Sequence, residues 1–464
     1  MAMKYISTRG EAPKLDFEGA MLSGLARDGG LYVPEKFPKL SRTEIKALRG
    51  KSYAEVAFAV CSLFTAGSIP SKELKRMIDE AYGTFDHAAT TPLKQLAPNQ
   101  FLLELFHGPT IAFKDVAMQL LARLMDWSLE KHKRKAVIVA ATSGDTGGAA
   151  VAGFEHSKHA SLFVLHPHGR VSDVQRRQMT TVKSPSIHNI AIEGNFDDCQ
   201  AIVKALFNDH AFRDGVGLAG VNSINWGRIM AQIVYYFYAA LQLGAPDRDV
   251  SFTVPTGNFG NIFAGLAAKR MGLPVERLTI ATNANDILDR TLKSGRYEIT
   301  GVHPTSSPSM DIQVSSNFER LVYLANDRDP AAVRAAMASL AQSQAFTIKS
   351  LALKDIRSEF TSGAVNERET AETMAQMLKQ TGELLDPHTA VGIHVALQQK
   401  VKSPMVTLST AHPAKFPDAV LSATGQRPRL PSRLEHLMTA QESFKVLPNS
   451  AAAIKDFILQ QDRS

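Results

Sequence analysis

Cysteine is almost missing from this chain: two residues among 464, Cys61 and Cys199, far apart and without a CxxC spacing. That scarcity excludes a disulfide scaffold and a cysteine-ligated zinc cluster, and it points to a reducing compartment. Long apolar runs are missing as well. The most apolar helical stretch, 229–244, is interrupted by Gln232 and Gln242 and falls short of the ~20 residues of a membrane span, so it reads as a buried helix. The first ten residues carry charge and turn formers where a secretory signal would need an apolar core, and a cytoplasmic location is expected. Basic clusters with interleaved aromatics are absent. Lys131-His132-Lys133-Arg134-Lys135 ends an expected helix, where cations suit the dipole and solvent, so no nucleic-acid role is expected. His156, His159, His166 and His168 lie close in sequence, but no carboxylate or cysteine joins them at ligand spacing, and no metal site is expected.

What is present is an ordinary globular composition, 44% hydrophobic and 21% charged, with a net charge of +7. The positive excess is spread over the chain and suits an anionic small-molecule substrate. The length calls for two or three domains. The expected division is an N-terminal module at 1–92, a small mobile α/β domain at 136–210, and a large domain built from 93–135 and 211–464. The module reads as mainly helical, with helices over 54–63 and 73–82 after a turn-rich Asp28-Gly29-Gly30-Leu31-Tyr32-Val33-Pro34. Beyond 135, strands and helices alternate. Strands are expected at 136–141, 162–165, 187–192, 216–221, 250–254, 278–282 and 405–408, with helices between them. Such repeats with short connections imply parallel sheets covered by helices. Residues 294–310, rich in Gly, Ser, Thr and Pro, read as a long loop or mobile lid.

The densest chemical signal is Phe106-His107-Gly108-Pro109-Thr110-Ile111-Ala112-Phe113-Lys114-Asp115. A Gly-Pro turn and two bulky apolar residues lead to a lysine just ahead of a helical run over 116–125. The positive end of the helix dipole and burial by Ile111 and Phe113 both disfavour the ammonium, freeing a neutral amine as nucleophile or base. Such an amine is what a Schiff base with an aldehyde cofactor needs. The same decapeptide reads equally as a surface Lys-Asp pair opening an ordinary helix.

Gly257-Asn258-Phe259-Gly260-Asn261 follows a strand and opens a helix, so its N–H groups can approach a phosphate. A tight strand–helix turn explains it as well. It lacks the third glycine of the dinucleotide fingerprint and the Lys-Ser/Thr pair of a P-loop. Thr142-Ser143-Gly144-Asp145-Thr146-Gly147 is a second such loop, ready for a carboxylate or phosphate oxygen, or serving as an N-cap through Ser143, Asp145 or Thr146. Ser409-Thr410-Ala411-His412 follows the last buried strand. A hydroxyl there suits a heteroaromatic nitrogen without protonating it, and His412 reads as a packed, satisfied histidine.

Together these pieces resemble the fold-type II pyridoxal-phosphate enzymes, the tryptophan synthase β and threonine dehydratase group. The likeness to the threonine synthase family is closer and runs almost the full length. Residues 5–10, Leu25 with Asp28-Gly29-Gly30-Leu31, 107–115, 142–148, Ser223-Ile224-Asn225-Trp226-Gly227-Arg228, 257–261, 386–392 and 410–416 follow in that family's order. The N-terminal module points to its longer branch. The resemblance implies a fold-type II α/β enzyme with two parallel or mixed sheets covered by helices and a mainly helical N-terminal module.

It also implies pyridoxal 5'-phosphate, joined to Lys114 as a Schiff base. Its phosphate would rest on Gly257, Asn258, Phe259, Gly260 and Asn261, and its pyridine nitrogen on Thr410, with Ser409 as the second candidate. Thr142, Ser143, Gly144, Asp145 and Thr146 would meet the substrate carboxylate and border the cofactor hydroxyl. Asp145 stands where many fold-type II relatives carry Asn, and an anionic Asp beside a phenolate is repulsive unless protonated or turned away. Ser223, Asn225 and Arg228 are candidates for the substrate phosphate, Arg228 because its fork suits that anion. The implied reaction converts O-phospho-L-homoserine and water to L-threonine and phosphate, in a monomer or homodimer. The alternatives are a related phospholyase giving 2-oxobutyrate, ammonia and phosphate, and a non-catalytic paralogue. A serine or threonine dehydratase would need no second phosphate site.

Overall fold

The computed structural model describes residues 3–462 and is built on two helix-covered sheets. The larger has six strands in the order Phe360–Ala364, Val275–Thr282, Val250–Pro255, Met405–Ser409, Gln100–Glu104 and Leu93–Ala97, and every neighbouring pair is parallel except the last. The smaller has five parallel strands: Lys445–Pro448, Ile187–Glu193, Ala160–Pro167, Ala136–Ala141 and the two-residue Leu218–Ala219. This is the arrangement of helix-covered parallel and mixed sheets that the strand–helix alternation implies. Val250–Pro255 is buried at every position, as a strand covered on both faces must be. The expected strand at 216–221 shrinks to two residues because Gly217, at φ +61, and Gly220 flank it.

The smaller sheet is wider than the 136–210 span. Leu218–Ala219 closes one edge and Lys445–Pro448 the other. Behind the latter edge, helix Ala451–Asp462 buries Ile454 and Ile458 in one cluster with Cys199, Ile202 and Leu206. The four-residue strand is mostly exposed and pairs on one side only, so it carries no periodic signature that a sequence reading can register.

The N-terminal module holds a small antiparallel pair, Tyr5–Ser7 with Tyr32–Pro34, and helices that include Tyr53–Thr65 and Ser71–Tyr82. Ser52 and Glu55 form a reciprocal capping box that fixes where the first of these helices starts. The module is part of the main core. Tyr5 and Phe64 pack on Trp226 at 5.9 and 5.7 Å between ring centroids, at the start of the buried helix Trp226–Gln242.

Residues 294–310 open with the strand Arg296–Glu298, paired to Ala345–Thr347, and end in a short 3-10 turn, Pro308–Met310. The loop between them is tied down. Asn283 donates to Thr305 (2.8 Å) and Asp311 (2.8 Å), and Asn285 bonds the backbone of His303 on both its N–H and its carbonyl (2.8 Å each).

Candidate active site

Lys114 is the first residue of helix Lys114–Lys131, and its side chain is buried. The turn before it is strained: Ile111, a β-branched residue, adopts φ +53. Backbone bonds to the segment after strand Met405–Ser409 hold that strain in place. Phe113 N–H reaches Thr410 O (2.8 Å), and His412 N–H reaches Ile111 O (3.0 Å). The same zipper sets the start of the Lys114 helix against Thr410. Asp115 is fully buried and folds back on Thr110, accepting from its N–H (2.8 Å) and hydroxyl (2.6 Å). The surface Lys-Asp pair is therefore excluded.

The Lys114 amine lies 3.1 Å from Asp145 Oδ2 and 3.4 Å from Ser309 Oγ. Burial pushes its pKa below the ordinary lysine value. Asp145 opposes that shift, and the cations Lys415 and Arg228 add to it. Asp145 starts helix Asp145–Phe154 over the smaller sheet. Burial alone would raise its pKa, but Lys114 and Lys415, with a hydrogen bond from Gln175 (2.9 Å), hold it well below the usual carboxylate range. Lys415 is fully buried and has filled its three N–H positions: Asp145 Oδ1 at 3.0 Å, Thr110 O at 2.8 Å and Gln178 Oε1 at 2.8 Å. Asp145 is thus an anion held by lysines, turned onto them as an acceptor. A carboxylate in that state repels another carboxylate. Anion-ready groups on this loop are instead the half-buried Ser143 and Thr146 hydroxyls and the free N–H groups of the helix start. Thr142 serves the loop itself, its hydroxyl accepting from Gly144 N–H (2.9 Å) and Gly147 N–H (2.8 Å).

The loop after Val250–Pro255 is built differently. Phe259, at φ +63, makes the left-handed step that starts helix Gly260–Arg270. The carbonyls of Gly257 and Asn258 are drawn backward by Ser315 Oγ (2.6 Å) and by Asn317 N–H (3.1 Å) and Nδ2 (2.9 Å). That leaves the loop's N–H side for an anion. A Cβ on Gly257 would sit 2.8 Å from the Ser309 carbonyl oxygen, so glycine is required where the two segments meet. Behind the loop lies Arg320, fully buried, its pKa pushed down to about 9 by that burial. It donates to Asn317 Oδ1, to Tyr32 O (2.8 and 3.2 Å) and to Ile224 O (2.6 Å).

Three family models cover the chain. "Threonine synthase N terminus" matches residues 4–82, "Pyridoxal-phosphate dependent enzyme" residues 85–410, and "Threonine synthase, C-terminal" residues 389–458. The chain is 53% identical over 461 residues to the threonine synthase of Pseudomonas aeruginosa, with 99% of this chain and 98% of that one covered. The chain belongs to the threonine synthase family. Among solved structures, PLP-bound threonine synthase from Brucella melitensis aligns with a TM-score of 0.97 at 59% identity, over 100% of both chains. Yeast threonine synthase aligns with a TM-score of 0.93 at 40% identity, over 99% of both. The architecture is that of a fold-type II pyridoxal-phosphate enzyme, as expected.

The residues of this member of the threonine synthase family fit that cofactor. Lys114 is a buried amine, and the 257–261 loop offers N–H groups to a phosphate. The amide of Asn261 is half used: Oδ1 accepts from Tyr235 and Tyr236, while Nδ2 is buried without a partner among the described residues. Arg228 is buried, donates once to Val221 O (3.2 Å), leaves Nε without a partner among the described residues, and has its pKa pushed down to about 10 by burial. It is a buried cation in want of an anion. Asn225 does not fit its expected role. Its amide caps Trp226–Gln242, giving Nδ2 to Met21 O (2.8 Å) and Gly220 O (2.9 Å) and taking Gly227 N–H (2.9 Å), so it has no donor left for a phosphate. Ser223 is half-buried, and its carbonyl accepts from Asn317 (3.3 Å).

Sequence reasoning missed Ser309, Lys415, Gln175, Arg320 and the Asp386–His388–Thr389 cluster as parts of the site. Two signals were present, since 386–392 and 410–416 both carry the family resemblance. Of the histidines set aside as metal ligands, His159 lies 3.4 Å from Asp126, while His166 and His168 both face Phe444, at 6.1 and 6.4 Å between ring centroids. His412 is packed, with its pKa pushed to about 4 by burial and Nδ1 accepting from Ala414 N–H (3.1 Å).

Proposed function

We propose that the chain converts O-phospho-L-homoserine and water to L-threonine and phosphate. One observation carries this reading: a buried lysine amine beside two anion-ready helix starts, within the field of a buried arginine that has no anion of its own among the described residues. An amino acid bearing a second phosphate satisfies that arrangement, and a plain serine or threonine does not. When bound, pyridoxal phosphate supplies an electron sink for the bonds at the substrate's α carbon.

Lys114 anchors the cofactor until the substrate amine replaces it. Its freed amine, its pKa lowered by burial, would take the proton from Cα and pass it to the imine carbon of the cofactor, which frees it to take one from Cβ as phosphate leaves Cγ. Ser143, Thr146 and the N–H groups beside them receive the substrate carboxylate. Arg228, with Ser223, receives the phosphate. The loop 257–261 with Asn261 holds the cofactor's phosphate. A hydroxyl from the Ser409–Thr410 pair, rather than a carboxylate, faces the ring nitrogen and leaves it unprotonated. Asp145 keeps Lys114 oriented and, being anionic, turns away from the cofactor's phenolate. The proton taken from Cβ would be delivered to Cγ to complete the methyl group, water would add its hydroxyl at Cβ, and Lys114 would restore the proton at Cα, so that substrate and water give threonine and phosphate. Closure of the smaller sheet over the site keeps water out until phosphate has left. A cytoplasmic setting accords with Cys61 and Cys199, both free and buried.

The deciding test is to mix the purified protein with phosphohomoserine and identify the products. Threonine with one equivalent of phosphate is expected. Formation of 2-oxobutyrate and ammonia instead would make the chain a phospholyase. Lys114→Ala is expected to remove the bound-cofactor absorbance and to lower turnover by at least ~10³-fold; a variant with full activity would end this mechanism.

A further inference from the structure

Asp386 is buried and caps helix Pro387–Leu397, next to both arms of the site. Four donors converge on it. His388 N–H (2.9 Å) and Nδ1 (2.8 Å) meet Oδ1, while Thr389 N–H (3.3 Å) and the Thr389 hydroxyl meet Oδ2. A carboxylate has no proton to give back, so the sense of each bond beyond it is fixed. His388 points its Nδ1–H at Asp386, which leaves Nε2 to accept Ser309 N–H at 3.2 Å. Ser309 is the residue whose hydroxyl lies beside the Lys114 amine. Thr389 spends its only hydroxyl proton on Asp386. It can therefore only accept, from Thr410 N–H at 3.3 Å and from the Ser409 hydroxyl at 3.1 Å. The Ser409 proton is committed inward, and the Thr410 hydroxyl has no hydrogen-bond partner among the described residues.

We propose that Asp386 is a positioning residue. One oxygen, through Thr389, takes the Ser409 proton out of play and leaves Thr410 as the hydroxyl that faces the cofactor's ring nitrogen. The other, through His388, fixes Ser309 at the lysine. This rests on the reading that the Ser409–Thr410 pair meets that nitrogen. One buried carboxylate then sets the two ends of the site together, without touching cofactor or substrate.

The test uses holoenzyme loaded with cofactor labelled with ¹⁵N in the ring, read by NMR. Thr410→Val is expected to move the ring resonance toward that of a pyridine lacking a hydrogen bond, and Ser409→Ala is expected to leave it in place. In Asp386→Asn the amide oxygen stays on the two His388 donors and the NH₂ turns to Thr389. Thr389 then donates to Ser409 and frees the Ser409 proton, so adding Ser409→Ala in that background is expected to shift the resonance. Should Asp386→Asn fail to fold, Thr389→Val frees the same proton and is expected to behave alike, while Thr389→Ser keeps the original pattern. A shift from Ser409→Ala in the otherwise unchanged protein, with Thr410→Val silent, would overturn the inference alone. Silence from both, with cofactor bound, would overturn the ring-nitrogen reading and this inference with it.

Discussion

Two strand ends feed two helices in this molecule, and they are secured by opposite means. The loop 257–261 is fastened by neutral hydrogen bonds from Ser315 and Asn317, braced in turn by Arg320. All of these groups belong to the side of the larger sheet. The loop 142–147 is fastened by charge across a seam. Asp145, Gln175 and Gln178 ride on helices over the smaller sheet, while Lys114 and Lys415 come from segments beside the larger one. Directional neutral bonds fix a backbone without a titrating group in the loop and, on the proposed reading, suit a cradle for the cofactor's phosphate. An ion cluster can exchange partners when a charged ligand arrives, which on the same reading suits a loop that meets the substrate.

Removing the brace should break the first half of this comparison and give the largest effect. Arg320→Met strips donors from Tyr32 O, Ile224 O and Asn317 Oδ1. A loss of about 3 kcal/mol is expected in chemical denaturation, together with weaker cofactor binding. An unchanged unfolding midpoint would remove Arg320 from this account.

Asp145→Asn breaks the other half. The carboxyl's folded pKa is depressed below its unfolded value. It therefore adds stability in full above about pH 4, and that contribution is lost as the pH falls through the depressed value. The variant should lose about 2 kcal/mol at neutral pH and show a flatter acid-side melting profile. Asp145 also raises the pKa of Lys114. Without it the amine stays neutral to lower pH, and the acid limb of cofactor capture should move down. An acid limb that moved up would contradict the placement of Asp145 as counter-ion to the lysine.

The smallest effect sharpens the comparison. Ser315→Ala deletes only the 2.6 Å bond to Gly257 O. About 1 kcal/mol of stability and a few-fold loss of cofactor affinity are expected, with kcat nearly unchanged. A large fall in kcat would show that this loop, too, takes part in the changing steps.

The strand-to-helix loop at 257–261 could be read from the chain because each of its parts is local: a buried strand, two glycines and a helix start within a dozen residues. Lys114 was legible for the same reason, since Gly108-Pro109 and the helical run after it already place an amine at a helix N-terminus. The charge cluster was not legible. Lys415 looks like any lysine near a proline, and Ser309 lay in a stretch read as a loop or lid. Asn225 misled in the other direction, because a residue suited to bind phosphate is equally suited to cap a helix.

The sequence by itself determined the alternation of strands and helices, the starts of the helices and the place of Lys114 at one of them, because periodicity, caps and turn formers act over a few neighbouring residues. Only the tertiary structure decided which charges face one another. Asp145 stays ionised in the interior because Lys114 and Lys415, from segments far apart in the chain, flank it there. No local pattern encodes a balance that depends on burial and on distances closed by folding.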